Sequence, residues 1–169
     1  MTKRFPFPNP VNETSARLVA GGVVLMGLGY VATGNVVLLG LLAYGFVARV
    51  TTGPAFSPLA RLATQVLTPR ITTNHKFVPG APKRFAQGVG VAFSLTAVVL
   101  VVLDANSASR VVIAALVAAA FLESAFAVCL GCIMFGWLMR FGIIPKHICE
   151  ECNDISARLA AQANSSATR

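Results

Sequence analysis

Phe85-Ala-Gln-Gly-Val-Gly-Val-Ala-Phe-Ser-Leu-Thr-Ala-Val-Val-Leu-Val-Val-Leu103 is an uncharged run of 19 residues, entered from Lys83-Arg84 and left at Asp104. About 20 predominantly apolar residues carry a helix across the hydrocarbon core of a bilayer. The length and both charged flanks therefore predict a membrane-spanning helix over 85–103. Three more apolar stretches surround it. Leu18–Ala32 and Val36–Ala48 are short, and Thr33-Gly34-Asn35 between them reads as a turn. With flanking residues recruited, they give a helical hairpin with spans 15–32 and 35–52. A fourth stretch begins at Val111 and stays apolar to Met139, which predicts a span over 110–132.

The composition agrees with lipid as the solvent. The 169 residues are 56% hydrophobic and 12% charged, with a mean hydropathy of +0.72. A soluble domain carries about 25% charged residues. The expected fold is all-α, an integral membrane four-helix bundle forming a single domain over 1–155. The polar tail 156–169 is expected to be disordered. The net charge of +8 does not point to nucleic acid, because the basic residues flank apolar spans and form no stripe. The N-terminus, with three prolines in 5–10, has no apolar helix of the kind a cleaved secretory signal needs.

Charge distribution orients the spans. With the N-terminus inside, thirteen of the fourteen basic residues fall on cytoplasmic segments and only Arg110 lies outside. The positive-inside rule then puts both termini in the cytoplasm. In the long second loop, Ser57-Pro58 reads as an N-cap followed by a first-turn proline. Leu59, Leu62, Ala63, Val66 and Leu67 follow at helical spacing, which predicts a short amphipathic helix lying in the interface. A docking helix for a partner is the alternative. Pro69 to Pro82 reads as irregular chain, with His75 a solvated loop residue.

The chemistry gathers in Cys129-Leu-Gly-Cys132 and Cys149-Glu-Glu-Cys152, spaced C-x2-C-x16-C-x2-C. In a soluble protein this spacing reads as a tetrathiolate metal site. A helix starting near Val111 and rising about 1.5 Å per residue reaches Cys129 at the cytoplasmic boundary. Running straight to Met139 it would overshoot the membrane, so a bend near Gly131 or Gly136 is expected, with Trp137 at the interface. Pro145 and the following loop can then return the second pair to within about 10 Å of the first, at the same helical rise. Three readings stay open: dithiols that exchange electrons or sulfur with a partner; four ligands for zinc or an iron–sulfur cluster; and unreactive thiols. Lys146 and His147 favour thiolate at the second pair, while Glu150 and Glu151 oppose it. A permanent disulfide is disfavoured in the reducing cytosol.

Inside the spans Glu123 is the acidic residue, and intramembrane acids are costly and often functional. Ser94 and Thr96 lie at matching depth and are its expected hydrogen-bond partners; a proton relay toward the cysteines is the functional alternative. Glu13, Arg17, Arg84 and Gln87 share the cytoplasmic level of Cys129 and Cys132. They form either a rim that receives a sulfur-bearing anion or, for Glu13 and Arg17 at i and i+4, a plain surface pair. Gly88-x-Gly90 reads as helix packing and not as a nucleotide loop, since no strand precedes it.

Asn12-Glu13 leading to Arg17, Pro82-Lys-Arg-Phe-Ala-Gln-Gly-Val-Gly90, and Glu123 followed by Cys129-Leu-Gly-Cys132 resemble a bacterial family of small integral membrane proteins of unknown function. Its members are often encoded beside, or fused to, thioredoxin-like or rhodanese-like proteins. The resemblance implies the bacterial inner membrane and a soluble partner of that kind. A weaker likeness is to quinone-linked disulfide-forming membrane enzymes. Those work on the outer side of the membrane, opposite to the side on which the basic residues put these thiols. The combined expectation is a cytoplasm-facing dithiol protein acting in thiol redox or sulfur transfer. A structural metal site, or a carrier for a sulfur compound with Glu123 in its path, are the alternatives.

Overall fold

The computed structural model describes residues 11–53, 56–70, 77–78 and 80–142. The described residues are all-α apart from one two-residue strand pair. Helix α1 spans Glu13–Thr33 and α2 Val36–Thr52. Asn12 caps α1 by accepting from the Thr14 amide at 2.9 Å. Gly34 ends it in the left-handed conformation at φ 69°, where the absence of a Cβ removes the steric penalty. Asn35 then caps α2 through the Val37 amide at 2.9 Å. Two caps and one glycine thus turn the chain within two residues.

After Gly53, α3 (Pro58–Arg61) starts behind Ser57, whose side chain accepts from the Ala60 amide. The helix does not continue with α spacing. Leu62–Leu67 widens to a π-helical turn and Thr68–Arg70 tightens to a 3₁₀ turn. The apolar face expected over this stretch is corrected accordingly. Leu59, Ala60 and Ala63 pack on Leu18 and Val19 of α1, but Leu62, Val66 and Leu67 are exposed. Lengthening the hydrogen-bond step to i→i+5 changes the angle between successive side chains, so a stripe counted at 100° per residue no longer holds together. Strand β1 (Val11–Asn12) pairs antiparallel with β2 (Phe77–Val78), Val11 opposite Val78. This pair fastens the start of α1 to the loop that enters α4.

Helix α4 spans Gly80–Val102, α5 Asn106–Phe126 and α6 Leu130–Arg140. Among the described residues α1, α4 and α5 are long and apolar enough to cross a membrane; α2 and α6 are shorter apolar helices. Two boundaries differ from expectation. Helix α4 begins five residues before Phe85, because Pro82 is tolerated in a first turn, where its missing N–H has no helical partner anyway. Helix α5 stops at Phe126, short of 132. Ala127 takes φ 58°, and its amide donates to the Glu123 carbonyl at 3.1 Å, the left-handed cap that closes a helix. The break expected at Gly131 or Gly136 thus falls two residues before Cys129.

Helix α1 packs on α5, α2 on α4, and α4 on both α5 and α6. Val23, Tyr30, Leu42, Phe46, Ile113 and Val117 form the shared core. Glycines let the backbones approach. A Cβ on Gly27 would lie 2.4 Å from Val117 Cγ2, and one on Gly90 would lie 2.2 Å from the Phe46 ring. Gly90 is therefore a packing residue, as small residues are at helix interfaces in membranes. At one end of the bundle Ser109 Oγ donates to the Ala97 carbonyl at 2.9 Å and accepts from Tyr30 Oη at 2.6 Å, which joins α1, α4 and α5. At the other end Ser15 and Thr68 hydroxyls meet at 2.8 Å. The outer faces carry apolar residues that water would not favour, with Leu25 73% and Val102 76% exposed, the pattern lipid contact requires.

Candidate functional site

The break after α5 decides where the first cysteine pair stands. Cys129 is the N-cap of α6, in extended conformation, and its Sγ accepts from the Cys132 amide at 3.4 Å. A thiolate there faces unpaired first-turn N–H groups and the positive end of the helix dipole. The expectation of two thiols part-way along a continuing helix is corrected: they sit at the start of a new one. Such a position, in a Cys-x-x-Cys motif, is where thiol pKa values fall. Hydrogen bonding from the Cys132 thiol is the largest influence holding Cys129 below the usual thiol range; burial and Glu123 oppose it and Lys83 assists it. Cys132 is pushed up by that same hydrogen bond and by burial. The pair is unequal, with the more acidic thiol the more buried one: Cys129 is 8% exposed and Cys132 is half-buried.

Glu123 does not reach Ser94 or Thr96. It pairs with Lys83 of α4, and both side chains are largely buried. Ser94 donates to the Val91 carbonyl at 3.1 Å instead. The reason is depth. Lys83 and Ser94 are 11 residues apart on α4, about 16 Å at the helical rise, and the early stop of α5 brings Glu123 to the Lys83 end. The same stop brings the pair beside both cysteines, which a straight helix would turn away from Glu123.

The expected rim assembles differently. Arg17 does not pair with Glu13. Its Nε and Nη2 donate to the carbonyls of Ser124 and Ala125, each at 3.0 Å, satisfying orphan acceptors at the C-terminus of α5 with a cation. Gln87 accepts from Arg49 Nε at 2.8 Å, and Arg84 is exposed at the same end of α4. Arg49 is the functional candidate that sequence reading misses. It is 5% exposed, stacked 4.5 Å over the Phe46 ring, and its Nη1 is buried with no hydrogen-bond partner among the described residues. A signal for it exists, since Arg49 lies inside the extended span 35–52 and not beyond its end.

Residues 11–140 match the model of a family described as a domain of unknown function (DUF4395). The chain belongs to this family. No curated protein and no solved structure matches. The family match takes in α1 to α6 and the first cysteine pair, and ends at Arg140. Cys149 and Cys152 lie beyond it and outside the described residues, as do Lys146, His147, Glu150, Glu151 and the tail. The four-thiolate site and the approach of the two pairs therefore fall outside the described residues. Among those residues no group of three or more His, Cys, Asp or Glu side chains is placed to hold a metal ion.

A cavity of about 230 Å³ opens between α1, α2, α4 and α5 and is closed by the start of α6. Its polar wall is Arg49, Gln87, Glu123 and Cys129. Gly131 at the head of α6 fits tightly against α4, where a Cβ would come within 2.6 Å of Ala86 Cα.

Proposed function

We propose that this family member is a four-span membrane dithiol protein that exchanges electrons or sulfur with a soluble partner at the cytoplasmic face of a bacterial inner membrane. The observation that carries the reading is Cys129 as N-cap of α6, its sulfur on the Cys132 amide. Helices α1, α4 and α5 supply three spans. The fourth is α2, whose 17 residues lie at the short end of the spanning range of about 17–25. Thirteen of fourteen basic residues on one side support cytoplasmic termini. Helix α6 then lies along the interface, with exposed Trp137 and Phe141 at the headgroup level where aromatic residues concentrate.

In the exchange, Cys129 thiolate attacks one sulfur of a disulfide on a thioredoxin-like or rhodanese-like partner. A mixed disulfide forms and the partner's second sulfur leaves as thiolate. Cys132, deprotonated in turn, attacks the Cys129 sulfur and releases the partner's other thiolate. The partner has gained two electrons, and Cys129 and Cys132 are left as a disulfide. The reverse sequence oxidises the partner.

The test is trapping with a small asymmetric disulfide on the full chain in lipid nanodiscs. Cys132→Ser should accumulate the mixed disulfide at Cys129, and Cys129→Ser should accumulate little at Cys132. Equal accumulation in both variants, or none in either, overturns the reading.

A further inference from the structure

The cavity that reaches Cys129 has its mouth on the side of the bundle. Leu130, Gly131 and Met134 of α6 cover its cytoplasmic end. Phe93 of α4 and Ala115 of α5 line it and are also exposed on the outer surface. On the proposed topology the Lys83–Glu123 pair marks the cytoplasmic ends of these two helices. Phe93 lies ten residues beyond Lys83 and Ala115 eight before Glu123, about 15 and 12 Å at the helical rise. In a hydrocarbon core about 30 Å thick, the mouth therefore stands near mid-depth. The wall behind it is mostly apolar, from Val19, Val23, Phe46 and Leu116. At about 230 Å³ the space exceeds the roughly 150 Å³ cavity that accepts benzene, so one substituted ring fits. Gln87 adds a polar group to the wall. Arg49 Nε holds its Oε1 at 2.8 Å, which leaves the amide NH2 to donate to a carbonyl.

We infer that this cavity takes a lipid-soluble quinone, its ring beside Cys129 and Gln87 and its apolar tail leaving past Phe93 and Ala115 into the bilayer. The inference rests on the dithiol reading and adds an electron acceptor for the reduced pair. A disulfide on a soluble protein has no access by this route, because it would have to travel through hydrocarbon. A quinone is neutral in both its oxidised and reduced forms, so it passes an apolar mouth without the cost of burying a charge. In the reaction, Cys129 thiolate adds to a ring carbon and the electron pair passes to a carbonyl oxygen. Cys132 thiolate then attacks the Cys129 sulfur. The S–S bond forms as the S–C bond breaks, and the ring leaves as quinol with the two protons that the thiols gave up. Dithiol and quinone have become disulfide and quinol, and the disulfide is then ready to oxidise the soluble partner.

The test uses the full chain in lipid nanodiscs, reduced and then freed of reductant and oxygen. Decylubiquinone is the probe, and diamide is the water-soluble oxidant for comparison. Quinol is followed by absorbance and the Cys129–Cys132 disulfide by mass spectrometry. Decylubiquinone should yield one quinol per disulfide formed. Ala119→Leu, which fills part of the cavity, should slow quinol formation at least about tenfold, the factor that 1.4 kcal/mol represents. Diamide should form the disulfide equally well in this variant and in the unmodified chain. If Ala119→Leu does not fold, Ala115→Leu at the exposed mouth takes its place with the same expectation. Disulfide formation by diamide but no quinol from decylubiquinone overturns this inference and leaves the dithiol reading standing. Quinol formation at an unchanged rate in the cavity variant overturns it as well. Failure of diamide to join Cys129 to Cys132 removes the dithiol reading and this inference together.

Discussion

Lys83 on α4 and Glu123 on α5 form an ion pair across 40 residues of chain, both largely shielded from water. The pair stands beside the thiols of Cys129 and Cys132, so each of its charges acts on them with opposite sign. Its position depends on two local events: α4 starting early enough to include Lys83, and α5 ending three residues after Glu123. Either boundary moved by a turn would slide one partner about 5 Å along its helix and break the contact.

Removing one partner should be far worse than removing both. A single buried charge left unpaired costs about 3–5 kcal/mol, whereas an apolar replacement of both partners is often near neutral. Lys83→Met is therefore expected to destabilise strongly, and Lys83→Met with Glu123→Leu to recover most of the loss, read by chemical denaturation in detergent. The thiol should respond as well. Loss of the Lys83 cation raises the Cys129 pKa, so the thiolate fraction at neutral pH falls and alkylation slows. Glu123→Gln works the other way, moving the rise in alkylation rate to lower pH. Identical pH profiles in the two single variants would show that the pair does not act on Cys129.

Ala127 holds the left-handed conformation at φ 58°, which costs a residue with a Cβ about 1–2 kcal/mol. Ala127→Gly removes that strain at an unfolded-state entropy cost of about 0.5–1 kcal/mol. A net gain of about 0.5 kcal/mol is expected from the difference of these two effects, with Cys129 reactivity retained. Ala127→Val should destabilise and also blunt Cys129 reactivity, because the N-cap geometry depends on the break. Thermal melts together with Cys129 labelling rates check both halves.

The legible parts of the fold are those written in residue types with one strong local preference. Gly34-Asn35 announces a helix end and the next helix start, and Ser57-Pro58 announces another start; Asn35 and Ser57 are both found capping. The end of α5 is not legible, because Ala127 is a helix former. It leaves the helix through tertiary contacts, with Arg17 bound to the Ser124 and Ala125 carbonyls and Gly131 seated on Ala86. Everything that hangs on a straight fourth helix is misplaced with it: the partner of Glu123, the face of the cysteines and the place of the bend. Arg49 reads in sequence as a flanking charge. Its place inside the span 35–52 hints at burial, but the partner that accepts from it, Gln87 of α4, is set by a long-range pairing that the local pattern does not show.

Topology is checked by cysteine labelling from each side of the membrane. Ser107 is the second residue of α5, and Asn74 falls in the basic stretch of sequence between α3 and α4. Ser107→Cys should react with an impermeant maleimide from outside, and Asn74→Cys only from inside or after permeabilisation. The opposite pattern would put Cys129 and Cys132 on the outer face. Exchange with a cytosolic partner would then be impossible, whatever the thiol geometry.

Metal and thiol counts separate the remaining chemistries. A tetrathiolate site needs four deprotonated sulfurs at about 2.3 Å from zinc, and Cys129 and Cys132 supply at most two. On the dithiol reading the other ligands are not supplied, and the two thiols stay free to form a disulfide with each other. Protein purified without oxygen is therefore expected to carry no tightly bound zinc or iron, and to lose two free thiols per first-pair disulfide when a mild oxidant is added. The loss should disappear in Cys129→Ser and persist in Cys149→Ser. A metal-bound site would give a different pattern: about one zinc per chain, or the colour of an iron–sulfur cluster, with both signals lost in Cys149→Ser. Since that substitution leaves the α6 N-cap untouched, its effect on the first pair's oxidation decides whether Cys129 and Cys132 work alone or as half of a larger site.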